Sequence, residues 1–217
     1  MFSANVSNFM LVLSVTAVPT IFSIVAHEVM HGEVAKHLGD DTAQRAGRLT
    51  LNPISHIDPF GTIILPGLLL YFGLPVFGWA KPVPVDFRRL RNGRTGMMMV
   101  AAAGPLTNVA LALISALLLR HLSQLLDPQS WRVVVVPLHY MLYFAVQINV
   151  VLAIFNLLPL LPLDGGRVLT GLLPLPLAIK FSRLEPYGFL ILFLLLYSNF
   201  FNRLIEPIIN TVTQMLL

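Results

Sequence analysis

Residues 8–38 read NFMLVLSVTAVPTIFSIVAHEVMHGEVAKHL, apolar as far as Ala26 and polar from His27, with Gly39-Asp40-Asp41 immediately after. Such a run predicts one long helix, since about 20 residues at 1.5 Å each cross roughly 30 Å of hydrocarbon. Glycine and acidic residues then stop it. Its last two turns contain His27-Glu28-Val29-Met30-His31. Imidazoles four residues apart share a helix face and can grip one metal ion, with Glu28 beside it. A zinc ion with three protein ligands leaves a place for water and lowers its pKa, and a carboxylate can then take the proton. Burying two histidines and a glutamate at the end of an apolar helix is costly in lipid, so such groups usually face a protein interior or a wet cavity. The plainer reading is a set of interfacial residues that merely end a helix.

The rest of the chain supports a membrane setting. Of 217 residues, 56% are hydrophobic and 11% charged, well below the roughly 25% charged of soluble domains, and the mean hydropathy is +0.79. Further helical blocks run from about Gly96 to Leu119, Arg132 to Leu160 and Tyr187 to Phe201. Phe60 to Trp79 is apolar but interrupted by Gly61, Pro66, Gly67, Gly73, Pro75 and Gly78, poor material for a straight spanning helix. The last segment, Asn202 to Leu217, contains Arg203, Glu206 and Pro207 and is expected at the interface or half inserted. The predicted fold is an all-α polytopic membrane protein with a three-helix core, a re-entrant or irregular segment, and one or two C-terminal helices. One membrane domain is expected over 1–217, its core at about 8–167 and its C-terminal helices at about 181–217, with no soluble domain appended. No Lys or Arg precedes Lys36, so the first block lacks the basic flank of a cleaved signal peptide.

The chain has no cysteine, which excludes disulfides, thiolate ligands and a thiol nucleophile. The formal charge of +4 lies in short connections, as in membrane flanks rather than a nucleic-acid surface. Lys81, Arg88, Arg89, Arg91 and Arg94 form the most basic connection. Treating Phe60 to Trp79 as re-entrant puts this connection and the Lys36 to Arg48 loop on the cytoplasmic side, which the positive-inside tendency favours. His27 and Asp164 then fall at one depth, near the inner face.

A third ligand must come from Glu33, Asp40, Asp41, His56, Asp58 or Asp164. Glu33, two residues from His31, turns away from the metal face. Asp164 is the best candidate, because Pro162-Leu163-Asp164-Gly165-Gly166 follows an apolar helix and glycines permit a close approach. The alternative is a turn that simply ends the helix.

The motif His27-Glu28-Val29-Met30-His31, together with Asn156-Leu157-Leu158-Pro159-Leu160-Leu161-Pro162-Leu163-Asp164-Gly165, resembles the paired signature of site-2 proteases. Gly104-Pro105-Leu106-Thr107-Asn108 resembles that family's glycine-containing motif on the middle core helix. The resemblance covers about Val25 to Arg167. It implies an intramembrane zinc metalloprotease without a PDZ or CBS domain, one Zn2+ per chain on His27, His31 and Asp164, and Glu28 as the base. It also implies that Asn156 and Pro162 help to seat a substrate backbone. The expected partners are a transmembrane protein or peptide substrate and the lipid bilayer, with the plasma membrane as location.

Several polar residues keep two readings. Gly104 and Asn108 share a small-residue face suited to close packing, and Asn108 serves either the site or the core. Asn156 could donate to an oxyanion or a substrate carbonyl. His56, in a loop on the active-site side, either lines the site or is solvated. The polar face His139, Tyr143 and Gln147 lies on one side of the third core helix and Asn149 on another, with His139 expected near the outer interface. Residues 60–79 either offer backbone groups to an incoming substrate strand or pack as a lid or plug. Two rival functions are a metal permease, which would not need Glu28, and a catalytically silent membrane chaperone.

Overall fold

The opening apolar run forms a single helix, α1 (Phe2–His37), which the chain leaves through Gly39 at φ 104°. In the computed structural model, residues 2–74, 78–125, 132–198 and 200–217 are described. Pro75, one of the expected interruptions, lies outside them. After a short α2 (Thr42–Arg45) come a 3-10 turn at Pro53–His56, a wide π-type turn at Pro59–Ile64 and α3 (Leu65–Tyr71). Residues 78–86 form no helix. Then follow α4 (Gly93–Leu125), α5 (Arg132–Asn156), α6 (Asp164–Leu172), α7 (Leu175–Ser182), α8 (Gly188–Tyr197) and α9 (Glu206–Leu216). Among the described residues there is no strand, and three helices are long and apolar enough to span a bilayer: Val12–His37, Gly93–Leu122 and Val134–Asn156. The chain is an all-α polytopic membrane protein.

Helices α1, α4 and α5 pack against one another, and α6 packs on α4. Small side chains make this possible: Ala101, Ala112, Ala116 and Ala153 are all buried where the helices meet. Without a hydrophobic driving force between lipid-embedded helices, such close backbone approach supplies the dispersion contact that holds them.

The C-terminal segment, expected at the interface or half inserted, packs on the bundle, with Ile205 and Ile209 against Ala112, Ala116, Val146 and Val150. A π-type turn at Phe201–Ile205 runs directly into α9, so Pro207 lies within a continuous helical run. The Arg120 guanidinium donates to the Leu216 carbonyl at the other end (3.2 Å). The helix expected over Tyr187 to Phe201 stops at Tyr197, too short to cross alone.

Residues 59–71 are helical, so that stretch offers no strand edge to a substrate; its N–H groups are spent internally. The Asp58 carboxylate starts it by accepting from the Gly61 N–H (2.7 Å). The segment closes on itself, with the Trp79 N–H donating to the Gly61 carbonyl (3.1 Å) and the Trp79 ring against Phe60.

Beyond the C-terminus of α1, Asp40 ties two loops together. Fully buried, it accepts from the Thr42 N–H (3.1 Å), the Thr42 hydroxyl and the Asp86 N–H (2.7 Å). Burial pushes its carboxyl up, but these donors and nearby Arg89 outweigh that and hold it below the usual carboxylate range. A depressed folded pKa stabilises above the unfolded value, and the contribution is lost as pH falls through the folded one. Asp40→Asn should therefore cost about 1.5–3 kcal/mol at neutral pH. Thermal unfolding in detergent checks this, the gap between variant and wild type closing as the pH is taken below about 4.

Candidate metal centre

Helix α1 presents His27, Glu28 and His31 toward α4, where Val100, Gly104 and Asn108 follow at four-residue steps on one face. Each side of that face meets one imidazole. The His31 Nδ1–H donates to the Val100 carbonyl (2.7 Å), and His27 Nδ1 lies 2.6 Å from Asn108 Oδ1. Between them, Gly104 leaves room: a Cβ there would stand 2.5 Å from both His27 Cε1 and His31 Nε2. Both rings consequently turn their Nε2 atoms the same way.

Asp164 is the first residue of α6, brought back to α1 by the turn after α5. Gly165 is needed for that turn, because a Cβ would collide with the Leu157 carbonyl. Arg94 of α4 secures the far end of α6 by donating to the carbonyls of Thr170 (2.7 Å), Gly171 (3.2 Å) and Leu173. Asp164 Oδ2 then lies 3.1 Å from His27 Nε2 and 3.4 Å from His31 Nε2, and the two Nε2 atoms are 3.0 Å apart. Among the described residues this is the one group of three such side chains able to share a metal.

A divalent metal fits these residues. A tetrahedral zinc with bonds of about 2.0–2.1 Å needs ligand atoms about 3.3–3.4 Å apart, close to the observed triangle. His31 has spent its Nδ1 proton on a carbonyl that only accepts, and Asp164 Oδ2 is buried without a hydrogen-bond donor. Facing lone pairs at this distance repel until a cation lies between them. A proton on either imidazole would relieve the same repulsion by donating to the carboxylate. A proton on an imidazole thus takes the place a cation would take, and the two compete.

The centre opens into a cavity of about 560 Å³, walled by apolar groups such as Trp79, Phe155, Phe189 and Leu192. Glu28 lines it next to the three converging residues, its Oε2 accepting from the Val83 N–H (2.9 Å). The run containing Val83 is itself fixed. Its Lys81 N–H donates to the His56 carbonyl (2.8 Å), and buried Arg48 donates to the Lys81 carbonyl (2.7 Å). Asn156 and Pro162 line the cavity, and Asn156 gives one amide proton to the Leu152 carbonyl (3.0 Å).

Two sequence readings change. Asn108 is fully buried behind His27 and does not line the cavity. His56 neither lines the cavity nor meets solvent; it is 2% exposed, with Nε2–H donating to the Thr50 carbonyl (2.9 Å). The other ligand candidates are engaged elsewhere, Asp41 with Arg45 and Arg89, Asp40 with Thr42, and Asp58 with Gly61. Two parts of the site escaped the sequence reading. The Val83 N–H is a backbone group and leaves no residue-type signal. Gly104 was assigned to helix packing, whereas the space it leaves is filled by imidazole.

A helical bundle with converging His, His and Asp side chains and a neighbouring Glu defines the class of membrane-embedded metallopeptidases. The sequence pattern of peptidase family M50 matches residues 124–197. The chain is 40% identical to "Putative zinc metalloprotease YwhC" of Bacillus subtilis over 190 residues, 88% of this chain and 83% of that protein. It is 32% identical to "Putative zinc metalloprotease MJ0611" of Methanocaldococcus jannaschii, over 76% of this chain and 73% of that one. It is also 28% identical to "Putative zinc metalloprotease Rip2" of Mycolicibacterium smegmatis, over 84% and 66%. No solved structure matches significantly. The chain belongs to peptidase family M50, the site-2 proteases, and is a zinc metallopeptidase.

Because Gly104 lies against both imidazoles, Gly104→Ala should weaken zinc binding at least about tenfold, the loss typical when the support of a ligand is disturbed. Chelator competition on the purified variant measures it.

Proposed function

We propose that the chain hydrolyses a peptide bond in or near the transmembrane helix of a membrane-protein substrate, with one zinc on His27, His31 and Asp164 and with Glu28 as the general base. The observation that carries this reading is the triangle of His27 Nε2, His31 Nε2 and Asp164 Oδ2, 3.0–3.4 Å on a side, beside Glu28 in a single apolar cavity. Zinc, when bound, supplies Lewis acidity toward a substrate carbonyl and acidifies water.

The chain's own residues do the rest. Glu28 Oε2 is engaged by Val83, which leaves Oε1 to take a proton from the attacking water and return it to the leaving amine. Asn156 gives one amide proton to its own helix, and the other is available to a substrate carbonyl oxygen or developing oxyanion. Pro162 offers no N–H and forms part of the wall. The apolar lining keeps bulk water away, which strengthens each of these interactions. A helical substrate must unwind locally, since its carbonyls are otherwise paired. The runs Lys36 to Arg48 and Lys81 to Arg94 favour a plasma-membrane orientation with the centre on the cytoplasmic side.

Three variants separate the roles. Glu28→Gln should keep about one zinc per chain and lose about 10²- to 10⁴-fold in cleavage of a reconstituted transmembrane substrate. Asp164→Ala and His31→Ala should lose both metal and cleavage. Zinc content by elemental analysis and cleavage by gel shift read these out; full turnover by Glu28→Gln would remove the assigned base.

A further inference from the structure

Behind His27 lies a polar group that the reaction does not touch. Asn108 of α4, Asn149 of α5 and Ser23 of α1 are 0%, 2% and 1% exposed and join all three core helices. We infer that Asn149, assisted by Ser23, is a positioning residue that fixes through Asn108 which nitrogen of His27 carries the proton. This inference rests on the zinc reading above.

The direction of each bond follows from groups that can act in one sense only. Asn149 Nδ2 lies 2.8 Å from the Ala145 carbonyl and 2.8 Å from Ser23 Oγ. A backbone carbonyl only accepts, so this end of the amide is its NH2 group and the oxygen faces Asn108. Asn108 Nδ2 donates to that oxygen (2.9 Å) and to the Ser23 carbonyl (3.4 Å), which uses both of its protons. Its own oxygen is left facing His27 Nδ1 at 2.6 Å. Nδ1 must donate, and the Nε2 lone pair is free toward Asp164 and His31.

Reversing any amide would set NH2 against NH2 or oxygen against oxygen among buried groups, which makes the chain of bonds directional. His31 needs no such relay, because the Val100 carbonyl reads its Nδ1 directly. Polar side chains between membrane helices are costly, and the two amides behind His27 have every donor and acceptor engaged.

Asn149→Leu removes the shorter of the two contacts that orient Asn108 and leaves only the Ser23 carbonyl at 3.4 Å. The Asn108 amide can then turn over and present Nδ2 to His27, which drives the proton to Nε2 and blocks the ligand. The test is zinc affinity by chelator competition on full-length, detergent-purified protein. Asn149→Leu should bind about 10- to 100-fold more weakly than wild type. Ser23→Ala should lose less, because the Ser23 carbonyl stays in place. Adding Asn108→Asp to Asn149→Leu should restore affinity, since a carboxylate accepts from Nδ1 with either oxygen; a merely packing role for Asn149 would not be rescued in this way. Should the leucine variant not fold, ¹⁵N spectra of histidine in metal-free wild type decide, with Nδ1 of His27 expected to carry the proton. A proton on Nε2, an unchanged affinity in Asn149→Leu, or no rescue would overturn the positioning role alone. Wild type that binds no zinc would overturn the proposed function together with it.

Discussion

Three lone pairs, on His27 Nε2, His31 Nε2 and Asp164 Oδ2, meet within 3.4 Å inside a bundle of apolar helices. They repel one another unless a cation or a proton lies between them, so the surrounding structure has to hold them together and decide which occupies the centre. Much of the fold can be understood as the means of doing so. Helix α1 sets two of the three converging side chains by its own four-residue spacing, and α4 holds both ends of the arrangement. Its Val100, Gly104 and Asn108 stripe aims the imidazoles, and Arg94 grips the carbonyls at the end of α6, whose other end bears Asp164.

The membrane makes this arrangement both necessary and possible. Unpaired polar groups are costly between lipid-embedded helices, so the buried amides behind His27 are all matched, and their matching carries information about proton position. Small residues bring α1, α4 and α5 close enough for side chains as short as serine and asparagine to bridge them. Helix α9 adds to the packing of α4 and α5, and Trp79, Phe189 and Leu192 line the cavity.

Glu28 depends on a different part of the chain. Its partner Val83 lies in a run without secondary structure, held by Arg48 and by the His56 backbone. The loop between α1 and α4 therefore orients Glu28 while it walls the cavity, and His56 contributes through its carbonyl rather than its imidazole.

Read alone, the sequence determined the class of fold, the two histidines and the glutamate. Helical length and a four-residue spacing are local properties, and apolar blocks near 20 residues have few other uses. Asp164 was legible as the best of several acidic candidates, its selection resting on resemblance as much as on spacing. The tertiary structure decided what depends on contacts between distant residues. It placed Asn108 behind His27 instead of on the cavity wall and buried His56 in its own loop. It also packed α9 into the bundle and kept 59–71 helical. None of these has a local signal, because an asparagine or histidine reads the same whether it faces a cavity or a carbonyl of another helix. The Val83 N–H shows the limit most plainly: a main-chain donor belongs to every residue but proline, and only the folded chain brings this one to Glu28.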